Sequence, residues 1–308
     1  MAIPILWSLT LPLLKFLEDG KAHSMREANE HLALVFKLTE EDRKELLPSG
    51  KQGRFQNRVA WARAELKMAG LIDNAGTGQV IITEKGKEIL SRKPQLLNRT
   101  YFLQFPEYTE KINKKKSDIG EKNVIETEEK SDNGQTPTEM MQNGYVAIRE
   151  ALAIDLLDIV MKCSPIFFEK LVVELLVKMG YGGSIKDAGK AIGKSGDEGI
   201  DGTIKEDKLG LDIIYIQAKR WKSDSGVGRP EIQKFVGALA GQGAKKGIFI
   251  TTSYFSKEAL EYTPKNETKI VLIDGEQLAQ LMIDYNLGVN LQQSYDVKRI
   301  DSDYFEEE

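Results

Sequence analysis

From Pro165 to Tyr285 the chain alternates between short runs rich in β-branched and aromatic residues and longer amphipathic runs, and this alternation narrows the possible folds most. The first long run, PIFFEKLVVELLVKMG, has Ser164 as a helix cap and Pro165 at the first helical position. Two strands follow, GIDGTI and the apolar run that ends in IIYIQAK. Next come a helix from Pro230 to about Ala240, the strand KGIFITT, the helix SKEALEY, the strand IVLID and the helix EQLAQLMIDY. Strands separated by helices predict an α/β domain around a mixed central sheet.

The rest of the chain does not extend that sheet. Lys111 to Glu139 contains no aromatic residue and only isolated aliphatics, too little apolar surface to offset the entropy of ordering it. We therefore expect a first domain over 1–102, a flexible charged linker over 103–140 and the α/β domain over 141–308. In FQNRVAWARAELKMAG, Val59, Ala62, Leu66 and Ala69 recur at helical spacing, and Gly70 closes the helix. The following LIDNAGTGQVIITEKGKEIL reads as strand, Gly-rich turn, strand and helix, so the first domain has the mainly α pattern of a winged helix. Arg54, Arg58 and Arg63, with Trp61 near them, lie on the polar side of the long helix. They either meet phosphates and base edges in a major groove or form a solvated face. A second long helix, TEMMQNGYVAIREALAIDLLDIVMKC, carries Met141, Tyr145, Ile148, Leu152, Leu156 and Ile159 in one stripe, which can pack on the core or on another protomer.

Composition excludes several chemistries. Cys163 is the only cysteine, and His23 and His31 are the only histidines, so disulfides, thiolate zinc sites and histidine-based catalysis are not expected. A metal would be held by carboxylates and would be a hard cation such as Mg²⁺. No apolar run reaches the roughly 18 residues of a membrane span, and MAIPILWSLTLPLLKFL lacks the basic start and cleavage site of a signal peptide, so a cytoplasmic protein is expected. The first 102 residues carry 16 Lys and Arg against 12 Asp and Glu, a mildly basic balance that permits contact with nucleic acid.

The chemistry gathers at the end of IIYIQAK. Alternation along a strand puts Gln217 and Lys219 on one face, with Ile216, Ala218 and Arg220 on the other. The turn-rich link KEDKLG lets the two strands form a hairpin that brings Asp201 beside that pair, and Gly199 and Gly202 leave room around it. On the helix from Pro165, Glu169 falls at the edge of the apolar side, where a carboxylate needs a partner or a metal. Asp201, Glu169 and the Gln217 carbonyl can hold Mg²⁺, while Lys219 orients water or offsets charge on a phosphate, the parts that phosphodiester hydrolysis needs. The bland alternative is a turn-forming Asp and a solvated Lys at a strand end.

Asp201, Gln217 and Lys219 match the D-x(n)-(E/Q)-x-K variant of the restriction-endonuclease-like nuclease fold. The runs FFEKLVVELLVKMGYGG, GIDGTIKEDKLGL, YIQAKRW, GRPEIQKFVGALAGQGAKKGIFITTSYFS and VLIDGEQLAQLMID resemble the Mrr proteins, which restrict modified DNA in bacteria; NRVAWARAELKMAGLI resembles their N-terminal winged helix. The resemblance implies that Asp201 is the metal-binding acid, that Gln217 stands where most relatives of the wider fold have Glu, that Lys219 is the catalytic lysine, and that Glu169 is a helix carboxylate of the site. Glu198 departs from the usual D-G-G-I-D-G run, and an amide at 217 favours one metal ion over two.

The expected activity is that of an Mg²⁺-dependent, type IV restriction endodeoxyribonuclease acting on methylated or otherwise modified double-stranded DNA. The rivals are a DNA-binding regulator with a nuclease-like scaffold and a repair or junction-resolving nuclease. Arg220, Lys222 and Arg229 form a candidate basic rim for the DNA backbone after the strand, or a solvated loop. AGKAIGKSG fails the spacing of a phosphate-binding loop, so no NTP is expected. A double-strand cut needs two sites, so a homodimer or larger assembly is expected, with no membrane partner.

Overall fold

The computed structural model describes residues 2–76, 78–118, 134–182, 199–207, 210–222, 225–262, 268–301 and 304, with 113–118 as backbone only. Two compact units result: 1–147 with 299–308, and 148–298.

In the first unit, α1 (Leu6–Phe16) is followed by β1 (His23–Ser24), α2 (Met25–Val35), the short α3 (Glu40–Lys44) and α4 (Arg54–Met68). Ser24 caps α2 in a capping box with Glu27, and Thr39 caps α3 in another with Asp42. The strands β2 (Ile72–Asn74) and β3 (Gln79–Ile82) form the antiparallel wing, and β1 adds on the other side of β3. α5 (Glu84–Ser91) follows directly, capped by Thr83, and packs so closely that a Cβ at Gly86 would lie 2.2 Å from the Leu71 carbonyl oxygen. The core is leucine-rich: Leu9, Leu13, Leu14 and Leu17 at the α1 end meet Val59, Ala62 and Leu66 of α4. The expected helix, hairpin, helix order is thus the observed one.

The expected linker is shorter than its composition suggests. α6 (Arg99–Phe102) and α7 (Pro106–Asp118) continue the first unit. Phe102, Phe105 and Tyr108 join its core, and the Tyr108 hydroxyl donates to Glu65 at 2.6 Å. On the far side of the gap, Thr136 and Glu139 are buried against α4. Only 119–133 of the expected linker lies outside the described residues. Order at the first edge comes from Phe105 and Tyr108, which lie within 103–140 ahead of the aromatic-free run from Lys111, and at the second from the buried polar bonds of Thr136 and Glu139.

α8 (Pro137–Lys162) follows, its residues through Ala147 grouping with the first unit and those from Ile148 with the second. Of its expected stripe only Leu156 is buried, beside Val160 and Ala153; Met141, Tyr145, Ile148, Leu152 and Ile159 are exposed. No helix among the described residues is long and apolar enough to cross a membrane.

The second unit holds α9 (Pro165–Lys178), β4 (Gly202–Lys205), β5 (Ile213–Lys219), α10 (Arg229–Gly241), β6 (Lys246–Thr251), α11 (Lys257–Leu260), β7 (Lys269–Ile273) and α12 (Gly275–Asp284). The sheet runs β4-β5-β6-β7, antiparallel at the first pair and parallel at the other two. Helix crossovers between parallel strands cover both faces, so β6 is buried on each side. Ile248 and Ile250 join Phe168, Val172 and Leu176 of α9 and Leu278 of α12, while Phe249 joins Phe235 and Leu239 of α10 on the other face. This mixed α/β sandwich is the expected class.

The polar side of α4 carries a surprise. Arg58 is buried: its Nε and Nη2 donate to Glu139 at 2.9 and 2.8 Å, and its Nη1 donates to the Ile3 and Pro4 carbonyls. Removing one partner of a buried pair strands the other charge, so Arg58→Ala should lower the stability of this unit by about 3–5 kcal/mol. Denaturant unfolding measures it; a loss under about 1 kcal/mol would mark the pair as solvent-screened like an exposed one.

Candidate active site

β4 ends its pairing with β5 at Gly202 opposite Ile216, and Asp201 lies just beyond. Its N–H donates to the Ile216 carbonyl at 2.9 Å, and its carboxylate accepts the Ala218 N–H at 2.7 Å. The side chain thus takes over from the ladder where the two strands part. Gln217 is 5% exposed, and its amide lies close to Gly199: a Cβ at Gly199 would stand 2.9 Å from Gln217 Nε2, and Gly199 has φ +100°, so both space and backbone favour glycine.

Three charges meet here. Burial raises the Asp201 carboxyl above the usual carboxylate range, against the lowering effect of the Ala218 N–H and of the Lys219 ammonium. Glu169 on α9 is also raised, first by burial and then by the negative charge of Asp201. Asp201, just before β4, is therefore within electrostatic reach of Glu169 on α9 and of Lys219 on β5, with Gln217 buried on the same strand. Among the described residues no three His, Cys, Asp or Glu side chains form a metal cluster. Two carboxylates and an amide oxygen, the residue types that Asp201, Glu169 and Gln217 offer, are hard ligands of the kind Mg²⁺ prefers. Two acids whose ionised forms are disfavoured by burial, Glu169 also by the charge of Asp201, are what a divalent cation would relieve. Glu198 and the run AGKAIGKSG lie outside the described residues.

The expected basic contacts fare unevenly. The Arg220 guanidinium donates through Nη1 to the Met161 carbonyl at the end of α8 and so anchors the strand end. Lys222 and Arg229 are exposed, the latter stacked 5.3 Å over the Tyr262 ring. In the first unit, Arg58 is buried as described, and Arg54 faces Glu45 at 3.1 Å and Glu139 at 4.0 Å. Arg63 is half-buried and donates to Asn74 of the wing at 2.9 Å. Arg54 and Arg58 thus leave the expected groove-facing set, because a segment about eighty residues later in the chain covers their side of the helix.

Three hydroxyl residues at the end of β6 escaped the sequence reading. Thr251 Oγ1 donates to the Lys219 carbonyl at 2.8 Å, Thr252 Oγ1 to the Trp221 carbonyl at 2.7 Å, and Ser253 Oγ to the Ser225 carbonyl at 2.7 Å. The signal was present: three successive hydroxyls closing a buried apolar strand need partners, and the backbone of β5 is beside them.

A mixed sheet with an acid at the hairpin and an amide and a lysine on the next strand defines the restriction-endonuclease class of nuclease. Residues 160–282 match the family described as restriction endonuclease, and residues 7–92 match the Mrr N-terminal domain. The chain is 35% identical over 316 residues to the type IV methyl-directed restriction enzyme EcoKMrr of Escherichia coli K12, covering 99% of this chain and all of that one. Among solved structures, the DNA modification-dependent restriction endonuclease AspBHI overlaps 45% of this chain and 36% of its own, at 16% identity and TM-score 0.35. The MspJI restriction endonuclease, in complex with a 27-mer oligonucleotide, overlaps 46% of this chain and 33% of its own, at 22% identity and the same score. The chain belongs to the Mrr family and is a restriction endonuclease of the type IV class.

The raised acids give a pH test. Between the ordinary carboxylate range and the raised values, the folded state holds protons that the unfolded state releases, so stability falls as pH rises through that window. Asp201→Asn keeps an acceptor for Ala218, removes the disfavoured charge and eases Glu169. Without divalent ion it should melt at or above the wild-type temperature at pH 8, with the gap closing as pH falls toward the carboxylate range. An equal destabilisation at every pH would assign Asp201 a purely structural role.

Proposed function

We propose that this chain is an Mg²⁺-dependent endodeoxyribonuclease that hydrolyses double-stranded DNA, with methylated or otherwise modified foreign DNA as its target. Its hydrolytic site is Asp201, Glu169, Gln217 and Lys219. The observation that carries the reading is the Asp201 carboxylate held on the β5 backbone between Gln217 and Lys219, with its charge felt by Glu169. The modified target rests on family membership and on the relative's methyl-directed activity.

Asp201, Glu169 and the Gln217 carbonyl oxygen would hold the metal ion. When bound, it supplies Lewis-acid stabilisation of the charge that grows on the phosphate. The protein's own groups do the rest. Asp201 is fixed in orientation by the Ala218 N–H, so its placement costs little reorganisation when the substrate arrives. The Lys219 ammonium, a compact cation with three rotatable donors whose charge acts on Asp201, would hold the attacking water or a non-bridging phosphate oxygen. Its backbone is fixed by Thr251, so the ammonium swings from a rigid base. In the hydrolysis, the water oxygen forms a bond to phosphorus as the P–O bond to the leaving sugar oxygen breaks; the attacking water gives up a proton to solvent or a site base, and the leaving oxygen takes one from solvent. Lys222 and Arg229 are exposed cations on the segment that follows β5 and are assigned to the DNA backbone. A cut through both strands calls for two such sites, and so for two copies of the chain.

Loss of a preorganised charge stabiliser typically costs about 10²–10³ in rate. Lys219→Ala should therefore reduce Mg²⁺-dependent nicking of methylated plasmid by at least about 100-fold while DNA affinity stays near wild type. Undiminished nicking by the variant would reduce the α/β unit to a scaffold and place the chemistry elsewhere.

A further inference from the structure

We propose that the first unit meets the DNA duplex through one stripe of α4, made by Gln56, Ala60, Arg63 and Lys67, and not through the Arg54 and Arg58 side of that helix. The inference rests on the DNA-endonuclease reading above and specifies which surface of the protein receives the duplex.

α4 has three faces. Phe55, Val59, Ala62 and Leu66 form the core face. A second face is closed by other parts of the same unit. There Asn57 accepts from Thr136, Arg58 is held by Glu139, Trp61 donates to Thr138 at 3.1 Å, and Glu65 accepts from Tyr108. The third face is open. Positions 56, 60, 63 and 67 follow the i, i+4, i+7, i+11 spacing of a single helical stripe. Gln56 and Ala60 are exposed, and Arg63 and Lys67 are half-buried.

The residue types suit a duplex. Gln and Arg are side chains that pair bidentately with adenine and guanine edges, and Lys meets phosphate. Ala60 is the small residue among them; its methyl lets the helix backbone approach the groove. The stripe runs into the wing: Arg63 donates to Asn74 at 2.9 Å, and Lys67 stands 3.7 Å from Asp73, both on β2. Helix and wing thus present one continuous surface.

At its other end the stripe opens into a cavity of about 350 Å³ lined by Arg26, Asn29, Glu30, Arg43, Phe55 and Gln56. Asn29 Oδ1 and Arg43 Nε are buried there without a hydrogen-bond partner among the described residues. The cations nearby are loosely held. Arg26 pairs with Glu30 at 3.2 Å with both side chains exposed, and Arg43 lies 3.8 Å from Glu40. An exposed pair such as Arg26 with Glu30 contributes about 0–1 kcal/mol, so a phosphate can take the place of Glu30 at small cost. The acidic side chains along the surface, Glu30, Glu40 and Asp73, are each already next to one of these cations. By contrast, freeing Arg58 for a phosphate would take two short bonds from the buried Glu139 and leave it the Thr136 N–H and the more distant Arg54.

The test is duplex binding by the full chain in a Lys219→Ala background, read by fluorescence anisotropy on methylated and unmethylated oligonucleotides over a range of salt. Arg63→Ala and Gln56→Ala should each weaken binding about 5- to 100-fold. Lys67→Ala and Arg26→Ala should weaken it alike on every sequence and lower the salt slope by about one. Ala60→Glu, at an exposed position where Glu is a good helix former, should keep the wild-type melting temperature and lose at least 10-fold in affinity. Lys15→Ala, on α1 behind the core face of α4, is the control and should bind as the parent does. Stripe variants that bind like the parent, or an Arg54→Ala variant that loses more affinity than Arg63→Ala, would overturn this assignment alone. Failure of the parent to bind either duplex would overturn the DNA reading and this inference with it.

Discussion

The bond from the Ala218 N–H to the Asp201 carboxylate organises the second unit. β5 carries a backbone donor at the point where β4 has stopped pairing with it, and a buried donor left unmet costs about 1–3 kcal/mol. The Asp201 side chain meets that donor and in doing so gives up much of its own hydration, which burial registers as a raised carboxyl. One interaction therefore closes the hairpin and sets an acid against the strand that carries Gln217 and Lys219. The fold places a strained charge at this point because its own backbone needs an acceptor there.

The strand end is then fixed from every side. The Lys219 carbonyl accepts from Thr251, the Trp221 carbonyl from Thr252, and Arg220 reaches the Met161 carbonyl on α8. Ser253 does the same for the loop that follows, through the Ser225 carbonyl. Sites built on such anchored elements hold their side chains more precisely than sites on free loops. The hydroxyl run on β6 and the acid before β4 hold β5 from its two neighbours. Lys219 thus stands on a backbone held by hydrogen bonds from its neighbours.

Much of the second unit was legible because periodicity reports burial directly. The alternation in KGIFITT puts Ile248 and Ile250 on one face and Phe249 on the other, as the two clusters around β6 show. Glu169 was found from its angle on α9, at the edge of the apolar side, and it is there that burial and Asp201 act on it. The first unit was legible as a helix, wing, helix pattern but not in the role of its arginines. A wheel of α4 shows which side is apolar and cannot show that Thr136, Thr138 and Glu139 return to cover part of the polar side. Arg220 was misread for a related reason: its partner is a backbone carbonyl, which leaves no trace in side-chain chemistry. Composition erred at the linker edges because Tyr108 and Glu139 order those edges through contacts far away in sequence.

The amide at position 217 follows from the same electrostatics. Gln217 is buried, and its neighbours Asp201 and Glu169 are carboxyls already pushed up by burial, with Glu169 raised further by Asp201. A glutamate there would add a third charge to a space that disfavours two, with the single ammonium of Lys219 to offset it. The amide keeps a carbonyl oxygen for coordination and removes the charge. On the proposed reading, Gln217 therefore limits the negative charge that this buried place must carry, beside two acids that burial already holds up.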